Sequence, residues 1–168
     1  MNNSLISLEK IDAFVFDFDG VLTNNLVHLD QSGRELVSCS RADGLAFDVL
    51  HKINKPVYIL STEKNKVVEA RAKKLKTPVF QGISNKVIIL QELVESNAFD
   101  IDNVFYVGND LNDFNAMKIC GYAACPIDSH PKIKEISDYV LNVRGGEGVI
   151  RELVENIFKI DIMRVLYS

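Results

Sequence analysis

The sequence predicts an α/β domain built on a parallel sheet. Short apolar runs rich in β-branched and aromatic residues recur along the chain, helix-like stretches separate them, and the alternation is unbroken from end to end. Strands are expected near Ala13–Phe16, Pro56–Leu60, Pro78–Phe80, Val104–Val107, Tyr122–Ala124 and Tyr139–Leu141. Helices are expected near Gly44–Ile53, Lys64–Leu75, Asn85–Ser96, Asn112–Ile119, Pro131–Ile136 and Gly148–Ile157, with Asp43, Thr62 and Ser84 as caps for three of them.

One connection is far longer than a strand-to-helix loop needs: Val21 to Ala42 follows the first strand. Within it Leu26-Val27-His28-Leu29 and Glu35-Leu36-Val37-Ser38 flank Asp30-Gln31-Ser32-Gly33, which reads as a projecting β-hairpin. The whole chain, 1–168, is expected to be a single domain with this hairpin at about 24–40 and a tail at about 159–168, apolar enough from Ile160 onward to dock on a partner subunit.

At 168 residues, 47% hydrophobic and 25% charged, one core suffices for stability without disulfide or structural metal. Cys39, Cys120 and Cys125 lack metal or redox spacing and read as reduced core residues. A net charge of −4 argues against a general nucleic-acid binder. No strictly apolar run exceeds four residues, so no membrane span or secretory signal is expected and the cytoplasm is the default.

The strongest chemical signal is Phe14-Val15-Phe16-Asp17-Phe18-Asp19-Gly20-Val21, a buried strand ending in two carboxylates. Residues two apart on an extended backbone share a face, and ligands of open α/β sheets bind at the carboxyl edge. Two such charges require a cation beside them or a retained proton. Val57 to Thr62 is a second strand ending in hydroxyls, suited to a phosphate oxygen at a helix start. Lys86 opens a largely apolar helix, where it opposes the helix dipole unless it neutralises an anion. Val104 to Asp113 runs a further apolar strand into Gly108-Asn109-Asp110 and then Asp113, oxygen donors of the kind magnesium takes.

Together, Asp17-x-Asp19-Gly20-Val21, Ser61, Lys86 and Gly108-Asn109-Asp110-x-x-Asp113 resemble the four ordered motifs of the haloacid dehalogenase superfamily, from Asp12 to about Phe158. The resemblance implies a Rossmann-like three-layer α/β/α sandwich and magnesium-dependent phosphatase activity. The hairpin, Arg41-Ala42-Asp43-Gly44, the stretch Phe80 to Lys86 and Arg144-Gly145-Gly146-Glu147-Gly148 resemble the capless subgroup acting on phosphorylated 3-deoxy-2-ulosonic acids. That subgroup holds the 3-deoxy-D-manno-octulosonate 8-phosphate phosphatases and the nonulosonate 9-phosphate phosphatases of sialic-acid-like sugars, enzymes of lipopolysaccharide or sialic acid biosynthesis. It implies a homotetramer with hairpins around an axis and neighbouring subunits completing each site, and no nucleic-acid or membrane partner.

The resemblance also implies roles. Asp17 is the nucleophile and Asp19 the acid–base; Ser61, Lys86 and the amides of Phe18 and Asp19 hold phosphate. Asp17, Asp19 and a residue of the fourth motif hold magnesium, with Asp113 supporting from behind. The family usually has Asp where this chain has Asn109, so both Asn109 and Asp110 are metal candidates and weakened catalysis is an open expectation. Glu63, Arg71, Lys74 and Arg144 are the candidates for sugar contacts, the acid at Glu63 leaning toward a nonulosonate. Among the histidines, His28, His51 and His130, only His130 is expected near the site. Two other readings stand beside this one: a non-catalytic relative serving as an oligomerisation or regulatory module, supported by Asn109, and a phospho-accepting receiver, which Asp19 disfavours because it would hydrolyse a stored phosphoryl group.

Overall fold

The computed structural model describes residues 6–168. Six parallel strands form the central sheet in the order β5-β4-β1-β6-β7-β8. These are β1 (Ala13–Phe16), β4 (Val57–Leu60), β5 (Val79–Phe80), β6 (Val104–Val107), β7 (Tyr122–Cys125) and β8 (Tyr139–Val140). A separate antiparallel pair, β2 (His28–Leu29) and β3 (Glu35–Leu36), is the expected hairpin, shorter than the apolar pattern suggested.

Alternate residues of the central strands feed opposite faces, as the two-residue period of a strand requires. Phe14, Phe16, Phe105 and Val107 pack with α1 (Arg41–Lys52), α2 (Lys66–Leu75) and α6 (Val149–Glu152). Val15, Val104 and Tyr106 face α3 (Lys86–Asn97), α4 (Phe114–Ile119) and α5 (Pro131–Ile136). Both faces are thereby covered, which is why these strands read as continuous apolar runs. The result is a three-layer α/β/α sandwich.

Three expected helix starts move. Ser40 caps α1 by accepting from Ala42 N, Asn65 caps α2 by accepting from Val67 N, and Asn85 caps α3 by accepting from Val87 N. Thr62 does not cap because the Ser61 hydroxyl and the Glu63 carboxylate take the amides of residues 63, 64 and 65 first, delaying the helix to Lys66. Asp43 is used at long range: its Oδ1 accepts from Ile150 N and Arg151 N and so caps α6 from α1. The last predicted helix divides into α6 and a wider π turn over Leu153–Ile157.

The hairpin lacks an Asn-Gly turn, and the Asp30 carboxylate closes it instead. It accepts from Ser32 N, Ser32 Oγ, Arg34 N and Arg34 Nε, which holds its carboxyl down at about 2. The C-terminal segment docks on its own chain rather than awaiting a partner: in α7 (Ile162–Tyr167) Ile162 is buried and Val165 and Leu166 pack on the core, while Met163 and Tyr167 stay exposed. All three cysteines are free, Cys125 buried and the others half-buried. Among the described residues no helix is long and apolar enough to cross a membrane.

Candidate active site

Strand register gathers the site. Phe16 at the end of β1 pairs with Ile59 of β4 on one side and Val107 of β6 on the other, so Asp17, Ser61 and Gly108 leave the sheet side by side. They open onto a cleft of about 290 Å³ lined by Asp17, Asp19, Asn25, Ser61, Thr62 and the 109–112 turn. The chain continues from β1 to β4 and β5 on one side and returns to β6 on the other, so this edge is the switch point at which open α/β sheets bind ligands.

At its floor Lys86 Nζ lies 2.7 Å from Asp17 Oδ1 and 2.6 Å from Asp113 Oδ1, all three side chains almost fully buried. Asp17 Oδ1 also accepts from Phe18 N at 2.7 Å, so Oδ2 is the oxygen left to face the cleft. Asp113 has every acceptor position in use: Tyr106 Oη and Lys86 on Oδ1, and the amides of Asn109 and Asp110 on Oδ2. Burial and the adjacent Asp113 keep the Tyr106 phenol protonated well above its usual range, fit to donate this bond.

Two carboxylates share one ammonium here. Burial raises Asp17 well above the usual carboxylate range, repulsion from Asp113 adds to it, and Lys86 opposes both. Burial would lower Lys86, but the two carboxylates outweigh it and hold the ammonium charged. Asp19 is also raised, first by burial, against a bond from Thr23 and with repulsion from nearby Glu63. An excess of buried negative charge is what a cation at this position would relieve.

The donor set fits magnesium, though not as a ready-made cluster: among the described residues no three His, Cys, Asp or Glu side chains converge on one point. The amide oxygen of Asn109 completes the set. Asn109 is buried and its Oδ1 has no hydrogen-bond partner, while its side chain presses on Gly20 so closely that a Cβ there would collide with it. Asp110 is exposed at the rim and its Oδ1 accepts from Leu111 N. A buried oxygen without a partner, on a residue that lines the same cleft as Asp17, fits better than an exposed carboxylate that is already bonded to its own turn.

The proposed sugar contacts fare differently. Glu63 stands near Asp19, but one of its oxygens is tied to its own loop. Arg71 donates to Ser40 O at 2.8 Å, which commits it to the start of α1 and away from the cleft. Lys74 is exposed on α2, and Arg144 pairs with Asp128 at 3.6 Å; neither lines the cleft of this chain. His130 approaches through its backbone, donating to Asn109 O, while its ring caps α5. Tyr106 carries no sequence signal beyond that of a core aromatic, and Asn25 and Thr23 lie in a loop where no periodicity points to a role.

The 3-deoxy-D-manno-octulosonate 8-phosphate phosphatase of Salmonella typhi is 35% identical over 148 residues, 88% of this chain and 79% of that protein. The chain belongs to the haloacid dehalogenase superfamily. Residues 71–153 match the haloacid dehalogenase-like hydrolase family itself, and the chain is a phosphatase of the octulosonate-phosphatase-like subgroup. A structure from Streptomyces avermitilis MA-4680, described only as a family hydrolase, superposes with a TM-score of 0.91 at 40% identity over 95% of this chain and 91% of that one. The Moraxella catarrhalis 3-deoxy-D-manno-octulosonate 8-phosphate phosphatase, solved with magnesium, phosphate and the sugar acid, superposes with a TM-score of 0.84 at 25% identity, over 93% and 87% of the two chains. This superfamily member therefore carries the expected fold and class of activity.

Proposed function

We propose that the protein is a magnesium-dependent phosphomonoesterase that acts through an aspartyl-phosphate on a 3-deoxy-2-ulosonic acid phosphate. The observation that carries this is the buried Asp17–Lys86–Asp113 triad opening beside Asp19, with the unpartnered Asn109 oxygen next to it. Asp17 Oδ2 attacks phosphorus while the bond to the sugar oxygen breaks, and Asp19 gives that oxygen its proton. Asp19 then takes a proton from the water that attacks the phosphorus of the acyl phosphate, freeing Asp17 and inorganic phosphate. Lys86, the Ser61 hydroxyl and the Asp19 amide hold the phosphoryl oxygens and offset their charge, and the Phe18 amide joins them by giving up its bond to Asp17 Oδ1. Asp17, Asp19 and Asn109, with Asp110 at the rim and Asp113 behind, would hold the magnesium ion, whose charge would further offset that of the phosphoryl oxygens.

The sugar class rests on the relatives, whose names specify octulosonate 8-phosphate. Glu63 is the chain's own contribution to choosing between that sugar and a nonulosonate 9-phosphate, and surface-sugar biosynthesis is the role either substrate supports. The cleft, about 290 Å³, is at the small end of small-molecule sites. Leu26, Val27, Leu29 and Leu36 of the hairpin are more than half exposed, which supports a homo-oligomer, in the reading a tetramer of single-domain chains, whose neighbours complete the site.

The test is phosphate release at saturating magnesium from octulosonate 8-phosphate, nonulosonate 9-phosphates and hexose phosphates. The ulosonate esters are expected to turn over best and Asp17→Asn to abolish turnover. Preference for hexose phosphates would overturn the substrate, and undiminished turnover in Asp17→Asn would overturn the mechanism.

A further inference from the structure

Next to Asp19 one buried hydroxyl has its whole hydrogen-bonding capacity in use. Thr23 is fully buried; its Oγ1 accepts from Gly20 N and from Asn25 N and lies 3.2 Å from Asp19 Oδ1. A hydroxyl carries one proton and two lone pairs. The two N–H groups occupy the lone pairs, so the proton has a single acceptor, Asp19 Oδ1. The same hydroxyl thereby ties the carboxylate to Asn25, which lines the cleft.

The turn bearing Thr23 is gripped from behind. Gly146 N donates to Val21 O at 3.0 Å, and Gly145 N donates to Asp128 Oδ1 at 3.0 Å. Side chains at either glycine would run into backbone: Gly145 into the carbonyls of Gly20 and Thr23, and Gly146, at φ +73°, into the Thr23–Asn24 peptide. The loop after β8 thus lies backbone to backbone on the turn, leaving Thr23 little room to move.

We propose that Thr23 is a positioning residue for Asp19: its hydroxyl holds Oδ1 and turns Oδ2 toward the oxygen that leaves phosphorus. The inference rests on the reading of Asp19 as the acid–base group. Thr23 exchanges no proton itself. The proton passes from Asp19 Oδ2 to the bridging oxygen as the phosphorus–oxygen bond breaks, and Thr23 keeps the carboxyl group from rotating out of reach. The geometry also gives the Arg144 to Gly148 stretch a use within its own chain, as the brace of the acid-bearing turn.

Leaving-group dependence tests this. An alkoxide needs a proton to depart, whereas p-nitrophenolate does not, and kcat/KM covers only the steps through ester cleavage. Thr23→Val should lower kcat/KM about a hundredfold for octulosonate 8-phosphate, or for the best aliphatic sugar phosphate of the panel, and less than about fivefold for p-nitrophenyl phosphate. Thr23→Ser, which keeps the hydroxyl, should restore the ratio. Equal losses on both esters are what a merely structural residue would give, and they overturn the proposal, as does an unchanged sugar phosphate rate. Should Thr23→Val not fold by circular dichroism, Thr23→Cys, a weak donor of similar volume, is read by the same ratio, and an unchanged ratio overturns the proposal. Asp17→Asn runs in parallel: if it retains turnover the mechanism itself fails, whereas an inactive Asp17→Asn with an unaltered Thr23→Val ratio removes only this inference.

Discussion

The catalytic corner and the hairpin invert the usual distribution of side chains in opposite ways. At the carboxyl edge of the sheet Asp17, Lys86, Asp113 and Asn109 are buried, where charged and amide groups are costly. On the hairpin Leu26, Val27, Leu29 and Leu36 are exposed, where a monomer gains nothing from them. The corner tolerates its charges because most of its polar atoms are paired, and the two oxygens left without a partner, Asp17 Oδ2 and Asn109 Oδ1, belong to residues that line the cleft. The hairpin leaves apolar area uncovered for another chain. Each departure from the ordinary pattern fits the proposed function, a cation at the corner and a neighbouring chain on the hairpin.

The largest effect should come from breaking the corner. Lys86→Met leaves two buried carboxylates without their ammonium, and we expect a loss of about 3–5 kcal/mol in urea unfolding together with loss of turnover. A variant of unchanged stability would show that the pair is not buried as described.

Outside the corner Asp43 and Glu152 are buried carboxylates; Glu152 is satisfied by Asn142 and Val143, whereas Asp43 keeps one oxygen without a partner. Burial lifts its carboxyl to about 6 against the pull of the Ile150 and Arg151 amides and two arginines, and Oδ2 has no partner. With the folded value above the unfolded one, the native state binds the proton more tightly, so the contribution of Asp43 to stability is fully present below about pH 4 and is lost as pH rises through about 6. The shift corresponds to roughly 3 kcal/mol. Asp43→Asn should keep the helix cap through its amide oxygen and lose this fall, visible in unfolding curves at pH 4 and pH 7; an identical pH dependence in both proteins would count against it.

Asn109 sharpens the corner further. Asn109→Ala should raise the magnesium concentration for half-maximal activity about tenfold, near 1.4 kcal/mol, while Asp110→Asn should change it little. The reverse ranking would make the rim carboxylate the ligand.

The smallest effect on folding belongs to the hairpin. Leu29→Ser with Leu36→Ser should shift unfolding by less than about 0.5 kcal/mol per site, because neither side chain packs in the monomer. Light scattering should nonetheless show the oligomer dissociating. A wild-type protein that is already monomeric at micromolar concentration removes the hairpin's half of the comparison.

Much of the site was legible because its residues sit where strands end. Asp17, Asp19, Ser61 and Lys86 each follow or begin a strongly apolar segment, and β1, β6 and α5 begin and end where the apolar pattern places them. Cap positions were less legible. Asp43 is a good local cap by composition, yet its carboxylate serves α6, more than a hundred residues away, and Glu63 and Ser61 compete for the amides that Thr62 was expected to satisfy. Arg71 shows the same limit: a cation on the second helix reads equally well as a substrate contact or as a donor to Ser40 O.

What the sequence determined by itself is the fold class, the order of the strands along the chain and the chemistry carried at their ends, because hydrophobic periodicity and short motifs are local properties. What only the tertiary structure decided is which of those oxygens are paired. Thr23 spends its proton on Asp19, Asp113 has no acceptor site free, and Asp17 Oδ2 and the buried Asn109 Oδ1 stay without a partner. Hydrogen-bond capacity is fixed by residue type, but how it is used depends on neighbours brought together across the sheet, and a linear pattern holds no record of them.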